Sequence, residues 1–291
     1  MTDPPATGLR SPAGAAEAAA GAAGVRIRPL TGLDEFDQVY RLYQAIWHPD
    51  PTNPPVTGEL LRALTKAGNY VAGAYADGEL VGAGVGFFGA PAHRELHSHI
   101  AGVSAAARGR NVGFALKLHQ RAWALDRGVA AITWTYDPLI ARNAYFNVVK
   151  LGAEPVEYLP NFYGGMLDGI NAGDETDRLL VRWDLTAPHV EDAAAGRIRR
   201  VDAAALRAAG AVVGLDRAGD GTPVAGSPDG GTVLVAVPPD VGALRGTDPG
   251  LARRWRIAVR DVVRPLLTGG GRITGFDRTG WYVVTRERTE A

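Results

Sequence analysis

Glu95-Leu-His-Ser-His-Ile-Ala-Gly-Val103 and the residues after it, Ser104-Ala-Ala-Ala-Arg-Gly-Arg-Asn-Val-Gly-Phe-Ala-Leu116, decide how the rest of the chain is read. Leu96, Ile100 and Val103 favour a strand, and no proline interrupts them. A small basic loop follows, Arg108-Gly109-Arg110-Asn111-Val112-Gly113. Phe114, Leu118, Ala122 and Leu125 then recur at helical spacing, so a helix starts at the loop. A helix start carries unpartnered N–H groups and the positive end of the dipole, and both suit an anion. Glycines let the main chain approach a phosphate closely. Arg108 and Arg110 add attraction, so the loop reads either as a phosphate cradle or as a solvated basic turn.

Moving outward, the chain alternates strand and helix. Val25 to Leu30 reads as a strand, Leu33 to Trp47 as a helix and Leu60 to Ala67 as a shorter helix. Tyr70 to Tyr75 and Leu80 to Phe88 read as strands joined by Asp77-Gly78, a strong hairpin signal. After the long helix, Ala131 to Tyr136 is a strand and Leu139 to Leu151 a helix ended by Gly152. Val156 to Tyr163 and Arg178 to Leu185 read as extended. The sum is an α/β fold with a mixed sheet flanked by helices over 25–185. Residues 186–230, rich in Ala, Gly, Pro and Asp, read as linker and loops with a short helix near Ala203 to Ala209. Residues 231–291 read as a smaller α/β extension: a strand at Thr232 to Val237, a helix over Pro249 to Leu267 and a closing hairpin, Arg272 to Phe276 with Trp281 to Val284.

Composition narrows the functions. The 31 basic and 31 acidic residues cancel, so no general attraction to nucleic acid or to a membrane surface is implied. The absence of cysteine excludes disulfides, a Cys–zinc site and an acyl-cysteine intermediate, and fits a reducing, cytoplasmic setting. No apolar run reaches the roughly 20 residues of a membrane span. The Ala/Gly tract within 1–24 carries Glu17 and lacks Leu, Ile and Phe between Pro12 and Gly24, so it reads as a disordered tail and not a signal peptide.

The loop resembles the acyl-CoA-binding motif of the GNAT acyltransferase superfamily, Arg/Gln-x-x-Gly-x-Gly/Ala, here Arg108-x-x-Asn111-x-Gly113. Asn111 replaces the usual glycine, and Asn is the non-glycine residue that best tolerates a left-handed backbone. Asp137-Pro-Leu-Ile-Ala-Arg-Asn143 through Leu151-Gly152-Ala resembles the superfamily's Asn-x-x-Ala-…-Leu-Gly-Phe segment. Further segments, Leu96-His-Ser-His99, Thr133 to Leu139, Tyr158 to Gly164 and Trp255 to Arg260, look like a bacterial subfamily of about 270–300 residues with a C-terminal extension.

The resemblance implies an acyl-CoA-dependent N-acyltransferase. It would move an acetyl or succinyl group from acetyl-CoA or another acyl-CoA to a small-molecule primary amine, with an amino acid one option, by direct attack. The alternative is a GNAT-like protein that binds CoA as a sensor or partner subunit without turnover. Residues Arg108 to Gly113 would hold the pyrophosphate, Ala101, Gly102 and Val103 would offer the backbone N–H that polarises the thioester, and Asn143 would contact the CoA arm. His97 and His99 lie two apart, on one face of a strand together with Glu95, and suit a general base. They are equally a His-x-His metal pair or structural histidines, but no further His or Cys cluster accompanies them and no metal is expected. The superfamily's usual acid position holds Val148, leaving Tyr145, Tyr158 and Tyr163 as substitutes, with Tyr163 in the more distinctive segment. Asp137 either caps the following helix or meets an acceptor ammonium. The extension either covers an acceptor pocket or makes a homodimer interface.

Overall fold

The computed structural model describes residues 11–49, 54–164 and 174–286. In chain order its elements are α1 (Pro12–Ala22), β1 (Arg26–Pro29), α2 (Leu33–Trp47), α3 (Gly58–Lys66), β2 (Tyr70–Ala76), β3 (Glu79–Phe88), β4 (Glu95–Val103), α4 (Val112–Asp126) and β5 (Ala131–Tyr136). Then come α5 (Ala141–Ala144), which widens into a π-helical segment over Tyr145–Lys150, and β6 (Glu154–Leu159), β7 (Arg178–Asp184), α6 (Pro188–Ala194) and α7 (Ala203–Ala208). The last elements are β8 (Val212–Arg217), β9 (Pro223–Ala225), β10 (Thr232–Ala236), α8 (Val241–Thr247), α9 (Pro249–Thr268), β11 (Arg272–Asp277) and β12 (Trp281–Thr285). The fold is mixed α/β, with a second sheet in the C-terminal part.

The chain divides into two compact units. One runs up to Ile132 and takes in Asp184–Arg197; the other comprises Thr133–Trp183 and Ile198 onward. The division therefore falls inside β5, and not at the 185/186 and 230/231 boundaries that composition suggested.

In the first unit β1, β2, β3 and β4 lie side by side, each antiparallel to the next. The β2–β3 turn is Asp77-Gly78, with φ of +50° and +84°, as a tight hairpin of right-handed twist demands. One sheet face is covered by α2 and α3, through Phe36, Val39, Leu42, Tyr43 and Leu61 against Val71, Ala83 and Val85. The other is covered by α1 and α4, through Ala23, Val25, Ala107, Val112, Ala115 and Leu116 against Ala74 and Ala76. The alternating glycines of β3 explain how closely α4 lies: a Cβ on Gly82 would stand 3.1 Å from Leu116 and 3.2 Å from Val112. The buried face of α4 is not the expected stripe: of Phe114, Leu118, Ala122 and Leu125 only Leu118 is buried, and the face takes in Lys117, Gln120 and Arg121. The Arg121 guanidinium explains its own burial by donating to the Leu185 carbonyl at 2.6 and 2.9 Å.

The expected N-terminal tail needs correcting. Ser11 caps α1 by accepting from the Gly14 N–H at 3.1 Å, and Pro12 opens the helix. Alanines supply helix propensity without a large apolar stripe, so periodicity alone could not reveal it. Residues 1–10 of that tail lie outside the described residues.

In the second unit the strand order is β5–β7–β6, and a separate sheet runs β11–β12–β10–β8–β9. β8 and β10 are parallel; the other pairs of that sheet are antiparallel. The expected linker is corrected here as well: besides α7, the short helix expected near Ala203 to Ala209, the segment 186–230 contains α6, β8 and β9. Those elements are short, and β8 carries Gly214 at its centre, where a Cβ would stand 2.8 Å from Val233. A composition that favours turns therefore masked a strand closely packed on its neighbour.

Candidate functional site

Strand β4 is irregular where the histidines lie. Val85 faces Ile100 and the adjacent Gly86 faces Ser98, so His99 is an extra residue, a β-bulge. Ser98 and Gly102 are buried, while His99 and Ala101 are open in the middle of the strand. The rings of His97 and His99 both lean on Phe87, at centroid distances of 5.2 and 5.8 Å, and stand 6.5 Å from each other. Among the described residues no group of three His, Cys, Asp or Glu side chains is placed to hold a metal ion.

Beneath β4 lies a polar cluster that the sequence did not announce. Lys117 of α4 is buried and donates to Ser98 Oγ at 2.9 Å and to Gln120 Oε1 at 3.2 Å. Burial pushes its ammonium down to about 7. A lysine between apolar helix positions normally points to water, so no sequence signal marks this one. Burial, then the neighbouring His99 and Lys117, press His97 down to about 4, and it is uncharged at neutral pH.

The loop after β4 keeps the expected shape. A 3-10 turn over Ala105–Ala107 leads in, Gly109 has φ +82° and Asn111 has φ +61°. Asn111 thus takes the left-handed conformation that glycine would otherwise supply. Its carbonyl accepts from Phe114 and Ala115, which starts α4. A Cβ on Gly109 would meet nothing within 4 Å, and one on Gly113 would come only within 3.9 Å of Val103. Ser104 Oγ, just ahead of the loop, is buried with no hydrogen-bond partner. These features fit a bound anion: open backbone, an orphaned hydroxyl and a helix start. Arg108 is exposed. Arg110 is engaged, for its Nη2 donates to the carbonyls of Ala23 and Gly24 at 3.2 and 3.0 Å. Gly102 is closed in by Trp47, whose ring a Cβ would meet at 2.6 Å. Val103 and Val112 pack in the core between α1, α4 and the sheet.

The second unit holds the other candidates. Asn143 is half-buried on α5, and its N–H donates to the Ile140 carbonyl at 2.8 Å. The helix expected across Leu139 to Leu151 is α only at Ala141–Ala144, and Asn147, in the wide π turn, accepts from Trp134 Nε1 at 3.1 Å. Gly152 ends the segment with φ +67°. Tyr163 is exposed, its hydroxyl 3.0 Å from Thr135 Oγ1 and its ring below the Arg178 guanidinium at 5.3 Å. Tyr158 is excluded as an acid: it is buried, donates to Asp177 Oδ2 at 2.7 Å, and burial beside that carboxylate holds its hydroxyl far above the ordinary range. Asp137 does not cap the helix: the N-cap of α5 is Ile140, which carries no side-chain cap, and Asp137 accepts from the Leu139 N–H at 2.9 Å in an Asx turn ahead of it. Its oxygens also accept from Arg245 at 2.7 Å and Arg256 at 2.8 and 2.9 Å, both from the C-terminal extension. Burial alone would raise this carboxyl, but Arg256, Arg245 and Arg178 outweigh it and hold it well below the usual carboxylate range. An acceptor ammonium therefore finds no vacant oxygen there.

The bulged strand, the left-handed loop and the following helix coincide with a sequence match: residues 10–146 fit the family model described as an acetyltransferase (GNAT) domain. Over those residues the chain is similar to GNAT acetyltransferase domains. Solved structures similar to it include the ribosomal-protein-S18-alanine N-acetyltransferase of Escherichia coli (13% identity, 56% of this chain, 95% of that chain, TM-score 0.45). An N-acetyltransferase of Staphylococcus aureus Mu50 is similar at 16% identity, over 56% of this chain and 99% of its own, with TM-score 0.43. A ribosomal-protein-alanine N-acetyltransferase of Brucella melitensis is similar at 20% identity, over 55% and 99%, with TM-score 0.45. No curated protein matches the sequence. The GNAT match ends at residue 146, inside the π-helical segment. Among the described residues no helix is long and apolar enough to cross a membrane.

Proposed function

We propose that the protein transfers an acyl group from an acyl-CoA to a primary amine. The observation that carries this reading is the loop Arg108 to Gly113, with left-handed Gly109 and Asn111, opening α4 directly after the bulged β4. Acyl-CoA supplies the activated thioester; the chain's own groups bind, orient and move protons. Arg108 and the loop backbone hold the pyrophosphate. The stretch of β4 from Ala101, which is exposed, to Val103 offers a backbone N–H to the thioester oxygen.

The amine must reach the carbonyl carbon without its proton. His99, exposed on the bulge, takes that proton, and His97, which binds a proton only near pH 4, stays neutral beside it. The C–N bond forms, the C–S bond breaks, and the thiolate takes a proton from water. The acceptor is a small molecule with an amino group, an amino acid being the class we favour, and a small acyl group, acetyl or succinyl, is the donor. No metal enters this reading.

The test is release of free CoA from acetyl-CoA and succinyl-CoA against a panel of amines. Release with at least one amine, reduced about 100-fold or more in His99→Ala, is the expected result. CoA binding without release across the panel would favour the sensor reading. Neither binding nor release would remove both.

A further inference from the structure

We infer that α1 is part of the cofactor-binding apparatus, and that Arg110 is a positioning residue clamping the 108–113 loop to the end of that helix. The inference rests on the assignment of this loop to CoA. The two arginines of the loop look equivalent in sequence but are placed differently. Both are exposed, but Arg110 Nη2 bridges the carbonyls of Ala23 and Gly24.

Those carbonyls belong to a helix end built to receive a cation. The Val25 N–H reaches back to the Ala20 carbonyl and Gly24 takes φ +63°, so the chain turns sharply out of α1. The residual negative charge at a helix C-terminus favours a guanidinium there. Gly24 also makes room for it, because a Cβ would stand 2.9 Å from Arg110 Nη2. Behind the clamp, Ala19, Ala20, Ala23 and Val25 pack with Ala107, Val112, Ala115 and Leu116, residues that flank the loop on both sides. Arg110 lies between left-handed Gly109 and Asn111, so fixing its side chain fixes the two backbone turns on which the loop's shape depends.

The test compares Arg108→Gln, Arg110→Gln and Gly24→Ala, with amide hydrogen exchange of residues 109–115 in the free protein and CoA affinity as a function of salt. Arg110→Gln and Gly24→Ala both speed loop exchange and weaken CoA about tenfold, the cost of one lost charge-assisted hydrogen bond. Their salt dependence of affinity stays that of the wild type. Arg108→Gln leaves exchange alone and flattens the salt dependence, because a screened charge has been removed. Gly24→Ala disturbs the clamp from the α1 side, and so keeps the test alive if Arg110→Gln does not fold. The inference is overturned if Arg110→Gln flattens the salt dependence as Arg108→Gln does, or if neither clamp variant changes loop exchange. If the wild type binds no CoA, the loop assignment fails on its own, while the exchange measurements still decide the clamp.

Discussion

Around Asp137 in the second unit, a buried carboxylate shares its oxygens with Arg245 and Arg256, and Asp174 accepts from both of those arginines. Nearby, Asp177 accepts from Arg260 and Tyr158. Around β4 in the first unit, the ionisable groups are a lysine on a serine and a glutamine, and two imidazoles leaning on a phenylalanine. In the first arrangement opposite charges satisfy each other and no oxygen of Asp137 is left for a ligand. In the second, burial presses Lys117 and His97 toward their neutral forms, and His99 is open to solvent. Paired, buried charge holds a fold together; ionisable groups pressed toward their neutral forms beside an exposed strand position are suited to proton transfer.

The largest effect that tests this contrast is expected at Asp137. Asp137→Ala leaves Arg245 and Arg256 buried without it, and chemical denaturation should register a loss of about 3–5 kcal/mol. Because the folded carboxyl is held well below its ordinary value of 3.8, its contribution is present above that pH and is lost as acid takes the pH below it. A wild-type stability profile that falls steeply once the pH drops below 3.8 is the expected result, and Asp137→Ala should abolish part of that fall.

Next in size is the seating of α4 on β3. Gly82→Val drives a side chain into Leu116 and Val112 and should cost about 1–3 kcal/mol by the same measurement. In the first unit pH acts at higher values. His97 binds a proton near 6.5 when unfolded and near 4 when folded, so its contribution is full above 6.5 and lost as pH falls toward 4. Replacing it by Gln should remove that slope, and an unaltered slope would show that His97 is not the group responsible. The smallest expected effect on stability is at exposed Arg108, where Gln should change it by less than about 0.5 kcal/mol.

Much of this was legible in the residues. The bounds of α2, β4 and β5 coincide with the hydrophobic pattern, because each has a period that matches its partners and a clear stop after it. Asp77-Gly78 and Gly152 marked turns whose backbone only such residues take easily. The family motif pointed to the loop, and Asn111 adopts the conformation needed there. What escaped was long-range. Nothing near Lys117 tells that Ser98 lies 19 residues away across the sheet, and nothing near Asp137 tells that arginines more than 100 positions on will claim it. The alanines of α1 show no stripe, since packing between small side chains needs none.

The central claim is that the 108–113 loop holds CoA, and thermal unfolding with saturating CoA, acetyl-CoA and succinyl-CoA tests it most directly. Ligand at 100 times its dissociation constant adds about 2.7 kcal/mol, a rise of a few degrees for a domain of this size. The account predicts that rise for the wild type, larger with one thioester than with CoA. It predicts none for Gly113→Leu, whose first side-chain atom fits without disturbing the fold. An unchanged midpoint with all three compounds, or an equal rise in Gly113→Leu, would contradict it.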